Sequence, residues 1–249
     1  LYLMLLAALV VVGLYGLTRP VPWAAPAGML LAAAAPLTFF IWLASARPAR
    51  TEAHPVIVSV LSGLGAVVLM MAVYRYGDDL QPYLIGGVLA LVGWLAYVTW
   101  YSRQPAPVGA PVPGEHLPEF TLVDADGSEI DTDALRGHNA VLLFYRGNWC
   151  PLCTAQIREL AAAWRKVASY NARVWFISSQ SQKHTREIAQ KFSIPAGLEA
   201  LGYPTDAALP TVVVVDEAGV IKFLEVAENY RLRPDPDTYL KYLVPRNAE

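Results

Sequence analysis

The chain of 249 residues has two cysteines, Cys150 and Cys153, and they lie in the stretch FYRGNWCPLCTAQ, residues 144–156. A thiolate is the reactive form of cysteine, and a thiol at the start of a helix loses its proton more easily because backbone N–H groups there lack partners. Pro151 suits a first helical position, where a missing N–H matters least. Cys153 is three residues further on, so it shares a helix face with Cys150. A mixed disulfide formed at Cys150 can then be released by Cys153, or an oxidised Cys153 can be resolved by Cys150. The spacing therefore suits a cycle between dithiol and disulfide.

Two other chemistries fit less well. A structural disulfide across so short a loop would restrain the unfolded chain little. Zinc would need two more ligands; there is no second CxxC, and His116, His138 and His184 are scattered without ligand spacing. No metal and no cofactor are expected. Net charge is −2 and no basic run occurs, so electrostatics give no reason to expect nucleic-acid binding.

The elements around the pair read as alternating strands and helices. PEFTLVDADGSEI, with Asp126-Gly127, predicts a hairpin. AVLLFYR (140–146) and RVWFISS (173–179) are apolar runs of buried-strand length. A helix follows Pro151, with Ile157, Leu160, Ala161, Trp164 and Val167 at helical spacing. HTREIAQKF predicts a short helix, TVVVVDEAGVIKFLEV (211–226) a hairpin turning at Glu217–Gly219, and DTYLKYL a closing helix. This is an α/β layout with helices on both sheet faces.

The first hundred residues differ in kind. They hold seven of the forty Asp, Glu, Lys and Arg residues and no lysine. Apolar segments at Leu1–Leu17, Trp23–Ser45, Pro55–Tyr74 and Tyr83–Trp100 predict about four membrane spans, the first marginal in length. Tyr83, Trp100 and Tyr101 fall at span ends, as interfacial aromatics do. No acid, lysine, histidine or cysteine lies within a span, so neither ion coupling nor electron relay across the bilayer is expected. This half reads as an anchor or docking surface. Domain limits follow: a transmembrane region over 1–100, a proline-rich linker over 101–114 and an α/β domain over 115–249. The expected location is a bacterial inner membrane. Arg47, Arg50 and Arg103 on the α/β domain's side outnumber Arg19 and Arg75 by one, which leaves the side undetermined.

Residues 114–153, GEHLPEFTLVDADGSEIDTDALRGHNAVLLFYRGNWCPLC, resemble the thioredoxin-fold superfamily on its peroxiredoxin side (alkyl hydroperoxide reductase/thiol-specific antioxidant). The Gly-x-x-x-Pro-x-Phe opening, the Asp-Gly turn, the Leu-Arg-Gly and the WCPxC match in order. The resemblance covers about residues 114–243 and implies a thioredoxin-like fold with Cys150 and Cys153 catalytic. It implies a cis proline facing them at Pro210, and a thiolate- or peroxide-binding role for Arg233. Trp149, Pro151 and Arg146 would shape the site, Trp149 by packing beside the dithiol and Arg146 by its charge. Peroxiredoxins carry Pro-x-x-x-Thr/Ser-x-x-Cys; aligned on Cys153, this chain has Arg146 at the proline and Cys150 at the hydroxyl position.

Three functions stand open at this point. One is thiol–disulfide exchange with Cys150 attacking and Cys153 resolving. Another is hydroperoxide reduction with Cys153 attacking and Cys150 resolving. The third is a non-catalytic, membrane-bound partner-binding module. The expected partners are protein thiols or disulfides, or hydroperoxides, with an external thiol reductant and a lipid bilayer.

Overall fold

The computed structural model describes residues 1–104, 109–124, 126–191, 198–202 and 209–243; for residues 182, 185, 189, 191 and 198–202 it describes backbone alone. The chain divides into two compact units, one formed by Leu1–Arg47 and Glu52–Arg103 and the other by Pro48–Thr51 and Gln104–Glu249.

The first unit is helical: α1 (Tyr2–Gly16), α2 (Ala24–Ala46), α3 (Val56–Tyr76) and α4 (Gln81–Ala96), the last preceded by a 3-10 turn and continued by a π-turn over Tyr97–Tyr101. Among the described residues, three helices are long and apolar enough to cross a membrane: Ala24–Ala46, Val56–Tyr76 and the continuous stretch Asp78–Tyr101. With 15 residues α1 is shorter, about 22 Å at the α-helical rise against a hydrocarbon core of about 30 Å.

The unit is apolar on its outside as well as in its centre. Ala25, Ala32, Ala33, Ala66 and Ala90 are buried beside Leu6, Met29, Leu69 and Trp94, while Ile57, Val60, Leu64 and Met71 of α3 are exposed. At Gly65 the backbones of α2 and α3 nearly touch: a Cβ there would meet the carbonyl oxygen of Gly28 at 2.6 Å. The few polar side chains find partners within the bundle. Ser62 Oγ donates to Ala32 O at 2.9 Å, Trp94 Nε1 to Ser59 Oγ at 2.9 Å and Tyr2 Oη to Ala90 O at 2.6 Å.

The second unit centres on a seven-stranded mixed sheet. Its strands are β1 (Thr121–Val123), β2 (Glu129–Asp131), β3 (Asn139–Phe144), β4 (Ala172–Ser178), β5 (Leu198–Gly202), β6 (Thr211–Val215) and β7 (Ile221–Val226), in the order β2-β1-β5-β4-β3-β6-β7. Its helices are α5 (Pro151–Ala162), α6 (Trp164–Ala168), α7 (Gln182–Lys191) and α8 (Pro236–Leu240). Both faces of the central strands are buried. Leu142, Trp175, Ile177 and Val213 pack in one core with Leu122 and Ile221, and the alternate residues Val141, Leu143, Val174, Phe176, Val212 and Val214 are also buried.

The 121–131 hairpin forms as expected, and Asp124 Oδ1 holds its turn by accepting from the N–H groups of Asp126, Gly127 and Ser128. Three local expectations need correction. The helix after Pro151 breaks at Ala163 (φ −80, ψ 2) into α5 and α6. β5, LEALG, was not expected: it has no β-branched or aromatic residue, and its strand character comes from parallel pairing with β4.

The third concerns Pro210. There is no cis peptide bond among the described residues, so Leu209–Pro210 is trans. Pro210 instead leads into β6 as an ordinary strand-initiating proline, and its carbonyl accepts from Ala227 N–H at 2.8 Å. Trans is the lower-energy isomer by about 0.5–1 kcal/mol. The expected linker falls partly on residues 105–108, outside the described set. Its described ends are tied into the second unit, Gln104 N–H to Glu228 O at 2.7 Å and Gly114 N–H to Ile221 O at 2.8 Å.

Candidate active site

β3 ends at Phe144, opposite Thr211 at the start of β6 and beside Ile177 near the end of β4. Residues 145–150 form the loop from this sheet end into α5. Cys150 is the N-cap residue (φ −86, ψ 112) and Pro151 opens the helix, so the local reading of the sequence holds. Cys150 O accepts the helical hydrogen bond of Thr154 N–H at 3.1 Å.

The loop is fixed from the β4 side. Asn148 N–H donates to Gln180 Oε1 and Gln180 Nε2 donates to Asn148 Oδ1, each at 2.9 Å. Asn148 Nδ2 also donates to His184 O at 2.8 Å. Gly147 makes this clasp possible. Its φ is +155, and a Cβ would meet Gln180 Oε1 at 2.8 Å and Trp149 Nε1 at 2.6 Å. Gly147→Ala is expected to destabilise the reduced protein by about 1–3 kcal/mol, read as a lower urea midpoint. An unchanged midpoint would mean that the clasp yields freely.

Both cysteines are unbonded to one another as free thiols, and both are buried, Cys150 at 2% exposure and Cys153 at 0%. Their surroundings differ. Arg233, 6% exposed, directs Nη2 to Cys153 Sγ at 3.2 Å. The guanidinium is aimed by two further contacts, Nη1 to Gln156 Oε1 at 2.8 Å and Nε to Tyr230 O at 3.1 Å. Gln156 is one helical turn after Cys153 on the same face of α5. The backbone N–H of Arg146 also donates to the Cys153 sulfur.

Burial alone would raise the Cys153 thiol. It is outweighed by a hydrogen bond from Cys150, the charge of Arg233, the Arg146 N–H and the Arg233 hydrogen bond, which together hold it down at about 5. Cys150 moves the other way. Its hydrogen bond to Cys153 and its burial push its thiol well above the ordinary range. The Arg233 contact therefore favours the anion at Cys153 and the proton at Cys150. The helix-start argument placed a thiolate at Cys150; the fixed cation and N–H donors instead converge on Cys153.

The remaining expected residues sort as follows. Arg146 contributes its backbone N–H, while its guanidinium lies between two rings, 5.0 Å from the Trp149 centroid and 4.9 Å from that of Tyr230. Trp149 is 66% exposed, covering Gly147 and Arg146 rather than being packed inside with the dithiol. Pro210 is buried at the same sheet end. Gln156, Asn148, Gln180 and Tyr230 were not singled out from sequence; for Gln156 the i+3 spacing from Cys153 was an available signal. Tyr145, fully buried, has its hydroxyl pushed up to about 12 by burial, partly offset by Gln180 and Ser178. Among the described residues no group of three or more His, Cys, Asp or Glu could hold a metal ion.

Residues 113–224 match the AhpC/TSA family. The chain is similar to a chloroplastic peroxiredoxin Q of Suaeda salsa, 28% identical over 145 residues, covering 52% of this chain and 66% of the relative. It is also similar to a chloroplastic peroxiredoxin Q of Triticum aestivum, 28% identical over 124 residues, covering 45% and 57%. It therefore spans less than two thirds of either relative. Among solved structures, a thiol peroxidase from Chromobacterium violaceum superposes with a TM-score of 0.47 and 18% identity, over 56% of this chain and 89% of that one. The stretch that matches the AhpC/TSA family contains both cysteines.

Proposed function

We propose that this chain is a membrane-anchored, thiol-dependent hydroperoxide reductase in which Cys153 attacks and Cys150 resolves. The observation that carries the reading is the contact of Arg233 Nη2 with Cys153 Sγ at 3.2 Å. A buried cation beside a sulfur stabilises the thiolate, and after attack on an O–O bond it faces the oxygen on which charge develops. Peroxidatic chemistry needs that arrangement at one sulfur, and Cys153 has it. The relatives named peroxiredoxin Q agree with it in kind.

Thiol–disulfide exchange led by Cys150 has less support, because Cys150 keeps its proton beside a Cys153 sulfur that Arg233 contacts, whereas the attacking group in exchange must be a thiolate. The cycle ends in a Cys150–Cys153 disulfide, and an external dithiol reductant returns it to the start.

The experiment uses the reduced full-length chain in detergent. One equivalent of hydrogen peroxide or tert-butyl hydroperoxide is expected to remove both free thiols and leave an intramolecular disulfide, seen by mass spectrometry. Protein that keeps both thiols in the presence of hydroperoxide, but loses them to an intramolecular disulfide as it reduces insulin disulfides, would support exchange instead. Protein inert in both assays would leave the partner-binding module.

Anchoring rests on the three long apolar helices, with α1 as a fourth bundle member through Leu6, fully buried, and the Tyr2–Ala90 hydrogen bond. Exposed apolar faces of this extent match a lipid surround. Membranes washed at alkaline pH are expected to retain the chain; its release would overturn the anchor.

A further inference from the structure

We propose that Cys150 is the acid of the first chemical step as well as the nucleophile of the second: its Sγ–H proton passes to the oxygen that leaves when Cys153 attacks a hydroperoxide. This rests on the peroxidase reading above and adds a step to it. Cys153 Sγ, as thiolate, attacks the terminal oxygen of R–O–O–H. The S–O bond forms, the O–O bond breaks, and the departing RO⁻ carries away the electron pair. The Cys150 proton neutralises it as ROH. Cys153 is now a sulfenic acid and Cys150 a thiolate. Cys150 then attacks the Cys153 sulfur, the S–S bond forms, the S–O bond breaks, and hydroxide leaves. The dithiol has lost two electrons and the hydroperoxide has gained two.

The neighbours of Cys153 narrow the choice of acid. Arg233 touches the sulfur but cannot be deprotonated in a protein. The Arg146 N–H is an amide. In the resting site Cys153, Cys150 and Arg233 are 0%, 2% and 6% exposed, so no bulk water lies against the sulfur and the acids fixed beside it are protein groups. That leaves the hydrogen-bonded thiol of Cys150 and, further out, the Tyr145 hydroxyl.

The same hydrogen bond explains the timing. The Cys150 proton is held above all by its bond to Cys153 and by burial. When the negative charge moves from sulfur to the departing oxygen, that hold disappears. The new acceptor, an alkoxide or hydroxide, is a far stronger base than the thiolate it replaces. One transfer thus stabilises the leaving group and arms the resolving nucleophile, with no separate base required.

The test compares peroxides whose leaving groups differ in their need for a proton. tert-Butyl hydroperoxide expels an alkoxide, whereas peracetic acid expels acetate, a weak base. Single-turnover oxidation of Cys153 is followed by dimedone trapping in wild type, Cys150→Ser and Cys150→Ala. Both variants are expected to slow the reaction with tert-butyl hydroperoxide on the order of 100-fold, and that with peracetic acid far less. A change in Cys153 nucleophilicity alone would slow both peroxides together, so the ratio isolates the proton.

Equal slowing of both peroxides, or slowing of neither, overturns the proposal while the peroxidase reading stands. So does a selective loss that Tyr145→Phe produces and Cys150→Ser does not. Wild-type protein that reacts with neither peroxide overturns the peroxidase reading and this step with it.

Discussion

Arg233→Ala is expected to slow single-turnover reduction of hydrogen peroxide at neutral pH by about 150- to 5,000-fold. Arg233 is the cation in contact with Cys153, at 3.2 Å and 6% exposure. Removing one member of a buried charge pair costs about 3–5 kcal/mol, because the other charge is left unpaired, and each 1.36 kcal/mol is about tenfold in rate. The pH dependence gives the sign independently. With its thiol held at about 5, wild-type Cys153 is ionised at neutral pH, and its rate falls only as pH drops through that value. In the variant, burial, already the largest single influence, is no longer outweighed to the same degree, and the inflection moves upward. Arg233→Lys is expected to recover part of the rate, since a lysine supplies charge but not the fork that reaches both Cys153 Sγ and Gln156 Oε1. Stopped-flow rates against pH read all three, and an alanine variant with wild-type rate and inflection would remove Arg233 from the site.

Cys153→Ser is expected to abolish hydroperoxide consumption, because a serine hydroxyl under the same arginine stays protonated at neutral pH and is a poor nucleophile toward oxygen. Cys150→Ser, by contrast, should still consume one equivalent, more slowly, and stop at a sulfenic acid on Cys153. The asymmetry follows from geometry: Arg233 and the Arg146 N–H both address the Cys153 sulfur. The opposite asymmetry, with activity lost only in Cys150→Ser, would restore Cys150 as the attacking residue.

The legible part of the chain is the part set by local rules. The Asp126-Gly127 turn, the buried run into β3, and Pro151 at the start of α5 each express a preference of a few adjacent residues, and the hairpin, strand and helix form there. The site was half legible. Both cysteines and Arg233 could be named, but which sulfur carries charge depends on Arg233 arriving from 80 residues away, which no local pattern encodes. The Asn148–Gln180 clasp spans 32 residues and was invisible for the same reason.

β5 shows the complementary failure. Leu-Glu-Ala-Leu-Gly has no strand preference of its own, and its pairing with β4 makes it a strand. Trp149 was expected to pack beside the dithiol. Its ring instead covers Arg146 and Gly147 from the outside, since a planar amphipathic ring can cap a guanidinium while remaining largely exposed.

One measurement tests the account most directly: mapping the first sulfur to react. Reduced protein at neutral pH is mixed with less than one equivalent of hydrogen peroxide in the presence of dimedone, then digested and analysed by mass spectrometry. The adduct is predicted on Cys153, in the wild type at early times and in Cys150→Ser throughout. An adduct on Cys150 would contradict the account, because it would place the thiolate on the sulfur that Arg233 does not touch.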